Sequence, residues 1–275
     1  MAGKVVKAYR NATFINSPDA RVIRILSEYF EPRRRFLAHK VFNTVVFFGS
    51  ARLRDAVESK ENLERARRAV EARPEDRELA EDLKRITRLD DMARYYEDAR
   101  ELAKRMTEWS MSRPRGKRRL LVCTGGGPGI MEAANRGAAD VKGGKSVGLG
   151  ISLPKEEGLN PYVSDGLGFE FHYFFMRKYW FSYLAKALIV FPGGFGTLDE
   201  LAELVTLRQT KKMKKHMPTV LYGTKFWNEV LDVRAMVEHA TISPGDYDLL
   251  YRCDSVDAAF DYLTAEIEAT EKDRR

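Results

Sequence analysis

Residues that ligate metals, form disulfides or cross membranes are scarce in this chain. Its 275 residues include 2 cysteines and 4 histidines. Cys123 and Cys253 lie in apolar runs typical of strands, without CxxC spacing, and the histidines are scattered, so we expect reduced thiols and no metal ion. No stretch reaches the ~18 uncharged apolar residues of a membrane span, and the start MAGKVVKAYR has no apolar signal-peptide core. These absences predict a soluble cytoplasmic protein without a membrane partner.

Charge of one sign is not in large excess either. The chain has 47 Lys and Arg against 40 Asp and Glu, a net charge of +7. The most basic run, KKMKKH at residues 211–216, has no interleaved aromatic residue and is typical of a solvated helix end. We therefore expect no nucleic-acid partner. Binding to DNA that weakens as the salt concentration rises would instead support one. Hydrophobic residues make up 44% of the chain, enough to bury a full core.

Continuous apolar runs alternate with helical patterns along most of the chain. Such runs are typical of parallel strands buried on both faces. The sequence therefore predicts a doubly wound, Rossmann-like α/β domain over residues 1–275, with helices on both faces of a parallel sheet. The strongest candidate strands are residues 41–48, 119–124, 146–153, 187–191 and 218–223, and weaker ones are 168–174 and 249–253.

Two helical segments stand outside this alternation. A Ser-Pro-Asp start predicts an N-terminal helical extension over residues 17–39, with Val22, Ile25, Leu26, Tyr29 and Phe30 on one face. Arg33, Arg34 and Arg35 at its end are typical of a solvated charge run. Residues 54–88 are rich in Glu and Arg and predict an inserted, charged helical hairpin with helices near 56–72 and 75–86, before a sheet-covering helix near 89–110.

A first glycine-rich segment, TGGGPGIMEAANRGA at residues 124–138, follows a predicted strand and opens a helix. Glycines there allow backbone amides to approach a ligand, and a helix N-terminus favours an anion. The spacing matches neither the dinucleotide fingerprint nor the P-loop. The segment therefore either binds a phosphorylated ligand or only makes a tight turn, and its candidate residues are Gly125, Gly126, Gly127 and Gly129.

A second such segment, FPGGFGTLDE at residues 191–200, has the same placement. Gly193, Gly194 and Gly196 can expose amides, Thr197 adds a hydroxyl, and Glu200 follows in the first helical turn. Ligands of open α/β sheets collect outside the carboxyl ends of the strands, so the two glycine segments predict one shared site.

Between these segments, FFMRKYW at residues 174–180 places two cations in an aromatic stretch. Unpaired charge is costly there, so Arg177 and Lys178 must face a partner. That partner is an internal carboxylate, an anionic ligand or a catalytic carboxylate.

In their order and spacing, GGGPGIMEAANRG, MRK and PGGFGTLDE resemble the Lonely Guy family of nucleoside 5′-monophosphate phosphoribohydrolases, within a wider Rossmann-like superfamily. Some relatives are labelled lysine decarboxylase, but the residues give no independent support for a pyridoxal site. The resemblance implies hydrolysis of AMP-like nucleotides to free base and ribose 5-phosphate, with cytokinin riboside monophosphates among the candidate substrates. It also implies catalytic roles for Arg177 and Glu200, phosphate binding by residues 193–197, and no cofactor.

Two further expectations concern mechanism and assembly. A carboxylate near the ribose can stabilise the oxocarbenium-like sugar, and Arg177 would either position Glu200 or grip phosphate. The chief alternative is a non-catalytic nucleotide or molybdenum-cofactor carrier. The aromatic density over residues 171–183 predicts a homodimer, or an assembly of dimers, near the helix that contains Arg177.

Overall fold

A computed structural model describes residues 5–114, 117–152 and 158–272. Within this part, seven parallel strands form one sheet in the order β4-β3-β2-β1-β5-β6-β7. The predicted doubly wound α/β fold is confirmed. Leu153, at the end of one predicted strand, lies outside the described residues. The strands are β1 (Asn43–Phe48), β2 (Leu120–Thr124), β3 (Ser146–Ile151), β4 (Gly168–Phe171), β5 (Ala185–Val190), β6 (Thr219–Tyr222) and β7 (Tyr251–Cys253).

The central strand β1 shows why the sheet is covered on both faces. All six of its residues are buried. Val46 and Phe48 belong to one hydrophobic core, whereas Val45 and Phe47 belong to the other. Since successive side chains of a strand point to opposite faces, a continuous apolar run is what a two-sided core requires.

The helices divide between these two cores. On one face, α2 (Arg21–Ala38), α7 (Phe174–Leu184) and α8 (Phe195–Gln209) pack together with α9 (Thr224–Val230) and α10 (Val233–Glu238). On the other face lie α5 (Arg94–Ser112), α6 (Ile130–Ala139) and α11 (Val256–Lys272). A short α1 (Ala12–Ile15) precedes these helices in the chain.

Helix α2 continues through Pro32, which removes one intrahelical donor. The carbonyl of Glu28, which would have accepted that donor, instead accepts from Trp180 Nε1 at 3.0 Å. The Glu28 carboxylate also accepts from the backbone N–H of His172 at 2.8 Å and of Tyr173 at 3.3 Å, just before α7. These bonds fix α2 against the segment that leads into α7.

Only part of the predicted apolar face of α2 is buried. Ile25 and Tyr29 pack against the core. In contrast, Val22, Leu26 and Phe30 are 65%, 49% and 56% exposed. The helix therefore docks on the core through Ile25 and Tyr29, and the other three apolar side chains of this face remain exposed.

The predicted hairpin forms α3 (Ala56–Ala72) and α4 (Arg77–Asp91), which pack mainly on each other. Asp55 and Asp76 cap their N-termini by accepting backbone N–H groups. Helix α5 begins at Arg94 and not near residue 89 as predicted. The break at 92–93 contains neither Gly nor Pro, so no local signal marks it.

In the described ranges, no helix is both long and apolar enough to cross a membrane.

Candidate active site

The main cavity, of about 770 Å³, opens at the carboxyl ends of the central strands. Strand β1 lies between β2 and β5. The chain adds β2, β3 and β4 on one side of β1 and then returns to add β5, β6 and β7 on the other side. Such a switch point is where open α/β sheets leave a crevice. The predicted shared site is therefore a real concavity, lined by residues from both glycine segments.

The second glycine loop, residues 192–197, leads into α8. Helix α8 begins without a side-chain cap, so its first-turn amides are available to an anion. A Cβ on Gly193 would lie 2.1 Å from Thr197 Oγ1, so that glycine is required by the protein itself. A Cβ on Gly194 or Gly196 would meet no protein atom within 4 Å, which leaves space for a ligand at the backbone.

The first glycine loop, residues 124–130, is held by two asparagines that the sequence analysis missed. Asn160 Nδ2 donates to the carbonyls of Gly126 and Gly127 at 2.9 and 3.0 Å. It also donates to Asn135 Oδ1 at 3.0 Å, and that oxygen accepts from the Thr124 hydroxyl. These bonds fix the loop from behind. Asn160 lies more than thirty positions further along the chain, and no local pattern marks it.

A third loop, residues 49–55, joins the two glycine loops, and the sequence analysis gave it no role. Ser50 N donates to the Pro192 carbonyl at 2.9 Å, and Ser50 O accepts from Ile130 N at 3.1 Å. Gly129 has a φ of +71°, and a Cβ there would lie 2.3 Å from Ser50 O. Glycine is thus needed at 129 for the approach of these two loops.

The helical insert also lines the main cavity. Leu89 of α4 and Met92, which follows it, form part of the wall. The lining also includes Phe174, Phe181 and Phe226. The C-terminal end of α4 thus reaches the rim of the cavity, while α4 has no buried residues.

Arg177 and Glu200 meet inside this cavity. Arg177 Nη2 donates to Glu200 Oε1 at 2.8 Å, and the two side chains are 14% and 7% exposed. Burial raises the pKa of Glu200 to about 7, against the opposing charges of Arg177 and Lys178. Arg177 Nε is buried and has no partner among the described residues. The pair therefore combines a carboxylate that titrates near neutrality with a guanidinium that holds it.

The predicted site residues do not all reach the cavity wall. Gly125, Gly127, Gly193, Gly194, Gly196 and Thr197 line it together with Arg177 and Glu200. Lys178 pairs with Asp199 at 2.8 Å and with Glu203 at 3.1 Å. Its partners are thus internal carboxylates, one of the alternatives that the sequence left open. Gly126 and Gly129 shape the first glycine loop, as described above.

No group of three or more His, Cys, Asp or Glu side chains in the described part of the chain is arranged to hold a metal ion.

A family model and curated relatives each match part of the chain. Residues 131–263 match a family model described as "Possible lysine decarboxylase". A curated relative, the pyrimidine/purine nucleotide 5′-monophosphate nucleosidase of Escherichia coli K12, is 34% identical over 121 residues. That alignment covers 40% of this chain and 26% of the relative, so the chain spans about a quarter of the length of the nucleosidase. The same protein from strain O157:H7 matches equally.

Two solved structures are similar at low sequence identity. An X-ray structure of TM1055 is 19% identical, with a TM-score of 0.47 over 81% of this chain and 99% of the other. The molybdenum cofactor binding protein from Rippkaea orientalis is 17% identical, with a TM-score of 0.41 over 62% and 88% of the two chains.

Proposed function

We propose that this chain, which belongs to the Lonely Guy family, hydrolyses the N-glycosidic bond of AMP-like nucleoside 5′-monophosphates. The products are the free base and ribose 5-phosphate. The observation that carries the proposal is the buried Arg177–Glu200 pair beside an uncapped helix N-terminus in one cavity. The curated nucleosidase relative supports the same class of reaction.

The second glycine loop is the proposed phosphate site. The first-turn amides of α8 and the Thr197 hydroxyl offer donors to the 5′-phosphate, and Gly194 and Gly196 leave room for close approach. Anchoring the phosphate there places the ribose near Glu200, one helical turn further on. Binding energy from the phosphate thereby positions the sugar for reaction.

Glu200 is the proposed catalytic carboxylate. Cleavage breaks the bond between C1′ and the base nitrogen, and the bond electrons leave with the base. The ionised carboxylate stabilises the positive charge that develops on the sugar and accepts a proton from the water that attacks C1′. The departing base takes up a proton, so one water is consumed for each nucleotide.

Arg177 is proposed as the positioning residue of this pair. Its hydrogen bond to Glu200 fixes the carboxylate, and its charge opposes the effect of burial on the pKa of Glu200. This geometry favours the positioning role over direct phosphate binding, the two alternatives that the sequence left open. Asn160 and Asn135 are proposed to support the first glycine loop without touching the reacting atoms.

Two other functions are a pyridoxal-dependent decarboxylase and a non-catalytic cofactor carrier. A pyridoxal enzyme needs a lysine in its cavity for the Schiff base, and the described residues that line this cavity include none. A cofactor carrier has no use for a buried carboxylate that titrates near pH 7, so the Arg177–Glu200 pair favours an enzyme.

A panel assay tests the proposal. Purified protein is incubated with AMP, GMP, CMP and UMP, and free base and ribose 5-phosphate are measured by chromatography. We expect release from at least one nucleotide and its loss in Glu200→Gln. A carrier would bind a nucleotide in the main cavity, as shown by an AMP-soaked crystal, without releasing base.

Dimer formation is also proposed. Exposed apolar residues remain on α2 and on α7, where Phe175 and Tyr183 are 54% and 61% exposed. The two helices contact each other, so a second copy of the chain could cover both.

A further inference from the structure

A second cavity, here named the outer pocket, lies between the loop at residues 49–55 and the helical insert. Its volume is about 600 Å³. It shares Ala51, Arg52 and Leu89 with the main cavity, so the two spaces adjoin along one wall. The family motifs and the proposed reaction give this pocket no role.

The side chains that line the outer pocket carry charge of one sign. Arg52, Arg54 and Arg85 are among them, and the described lining residues include no Asp or Glu. Asn62 adds a neutral amide, whereas the Ser59 hydroxyl already donates to Asp90 at 2.8 Å. A concave surface with three guanidinium groups attracts an anion, and guanidinium is well suited to phosphate because it presents parallel N–H donors.

One of these arginines is held in place before any ligand binds. Arg54 Nη1 donates to the carbonyls of Ala51 and Leu53, each at 2.8 Å. Its Nε donates to Glu58 at 3.1 Å. These bonds use Nη1 and Nε and leave Nη2 for a ligand, and a side chain already fixed in this way loses little conformational freedom on binding.

The carboxylates that pair with these arginines do not cancel the attraction. Glu58 and Asp82, the partners of Arg54 and Arg85, are 52% and 49% exposed. Ion pairs with such exposed partners are weak because water screens them. A phosphoryl group, with its greater charge, competes well for the same donors.

We propose that the outer pocket is a second anion site that binds a polyphosphate group, separate from the 5′-phosphate site at residues 193–197. The bound group is either the distal end of a larger nucleotide substrate or a separate effector. Because Arg52 and Leu89 border both cavities, occupation of the outer pocket alters the wall of the main cavity. The proposal concerns binding and stands whether or not base release is observed.

The test is a calorimetric titration of the full chain with inorganic tripolyphosphate at 0.15 M salt, a concentration that screens non-specific attraction. Arg85→Gln is expected to weaken binding about tenfold, because one charged hydrogen-bond donor is lost. The matched control is Arg67→Gln. Arg67 is equally exposed, at 54%, and lies in a similar pair with Glu64 on α3, but it is not part of the outer pocket. We expect the control to bind like the unmodified chain.

Two kinetic arms distinguish the sources of the anion. If tripolyphosphate changes the rate of AMP hydrolysis and this change is lost in Arg85→Gln, the pocket is an effector site. If ATP is cleaved faster than AMP and this difference is lost in Arg85→Gln, the pocket binds the substrate's own phosphates.

The proposal is overturned if Arg85→Gln binds tripolyphosphate as tightly as the unmodified chain, or if the Arg67→Gln control weakens binding equally. Simple displacement of tripolyphosphate by AMP would also overturn it, since the anion would then occupy the 5′-phosphate site.

Discussion

Because burial raises the pKa of Glu200, both the stability of the fold and the proposed activity should change with pH between about 4.5 and 7. The folded pKa is about 7, against 4.5 for an ordinary glutamate, and burial is the main cause. Between these values the unfolded chain releases the proton while the folded chain keeps it. The free energy of unfolding therefore falls as pH rises from about 4.5 to about 7 and does not recover above that range.

The size of this effect follows from the shift. A difference of about 2.5 pKa units corresponds to about 3 kcal/mol, at about 1.4 kcal/mol for each unit. Glu200→Gln keeps the shape but does not titrate. Denaturant unfolding of both proteins across this pH range should thus show the unmodified chain losing about 3 kcal/mol relative to the variant.

Activity should show the opposite trend. The ionised carboxylate is the proposed active form, so the rate of AMP cleavage should rise with pH and level off above about pH 7. Glu200→Gln should reduce the rate by about 10²- to 10⁴-fold while AMP binding stays within about tenfold. The control is Glu203→Gln, a nearby carboxylate on α8 that pairs with Lys178. Its rate should stay near that of the unmodified chain, and its pH midpoint should move slightly down because the Glu203 charge raises the pKa of Glu200.

Two results would refute this reasoning. One is a rate that stays at its plateau down to pH 5, which would place the functional pKa near that of an ordinary glutamate. The other is near-normal turnover in Glu200→Gln.

The remaining predictions concern the partner of Glu200, the second glycine loop and the assembly. Arg177→Ala should lower turnover and move the pH midpoint above 7, because the positive charge that lowers the pKa of Glu200 is lost; an unshifted midpoint in the pH profile would contradict the positioning role. Gly194→Ala should weaken AMP binding in a titration without changing thermal stability, whereas Gly193→Ala should destabilise the fold because its Cβ meets the first turn of α8; equal effects of the two on stability would contradict this. Light scattering should give a mass at or above twice 31.5 kDa, and Phe30→Asp should lower it towards 31.5 kDa; a monomeric unmodified chain would exclude the dimer.

The sheet and both glycine loops could be predicted because their signals are local. A continuous apolar run such as that of β1 requires burial on both faces, and glycines at a strand end mark close backbone approach. The start and end of α3 were also predicted, since Asp55 stands at its N-cap and Pro74 follows its end.

The features that were missed depend on distant contacts. Asn160 supports the first glycine loop across more than thirty positions, and Ser50 links two loops that are far apart in sequence. No local sequence pattern around Asn160 or Ser50 predicts such a bond. Likewise, the partners of Lys178 follow from how α7 and α8 pack, a property that the residue types alone do not fix.

The position of the helical insert explains how it can alter the site without disturbing the core. It enters between the end of β1 and the start of α5, and the carboxyl end of β1 is where the cavity opens. Residues added at that point lie at the rim of the cavity and leave the strand register of the sheet unchanged. Helix α4 has no buried residues of its own, so its sequence is under little constraint from the core. The proposed phosphate loop and the Arg177–Glu200 pair lie on α7, α8 and the loop before α8, outside the insert. Changes in Leu89 or Arg85 should therefore alter which ligands bind and leave the chemistry at Glu200 intact.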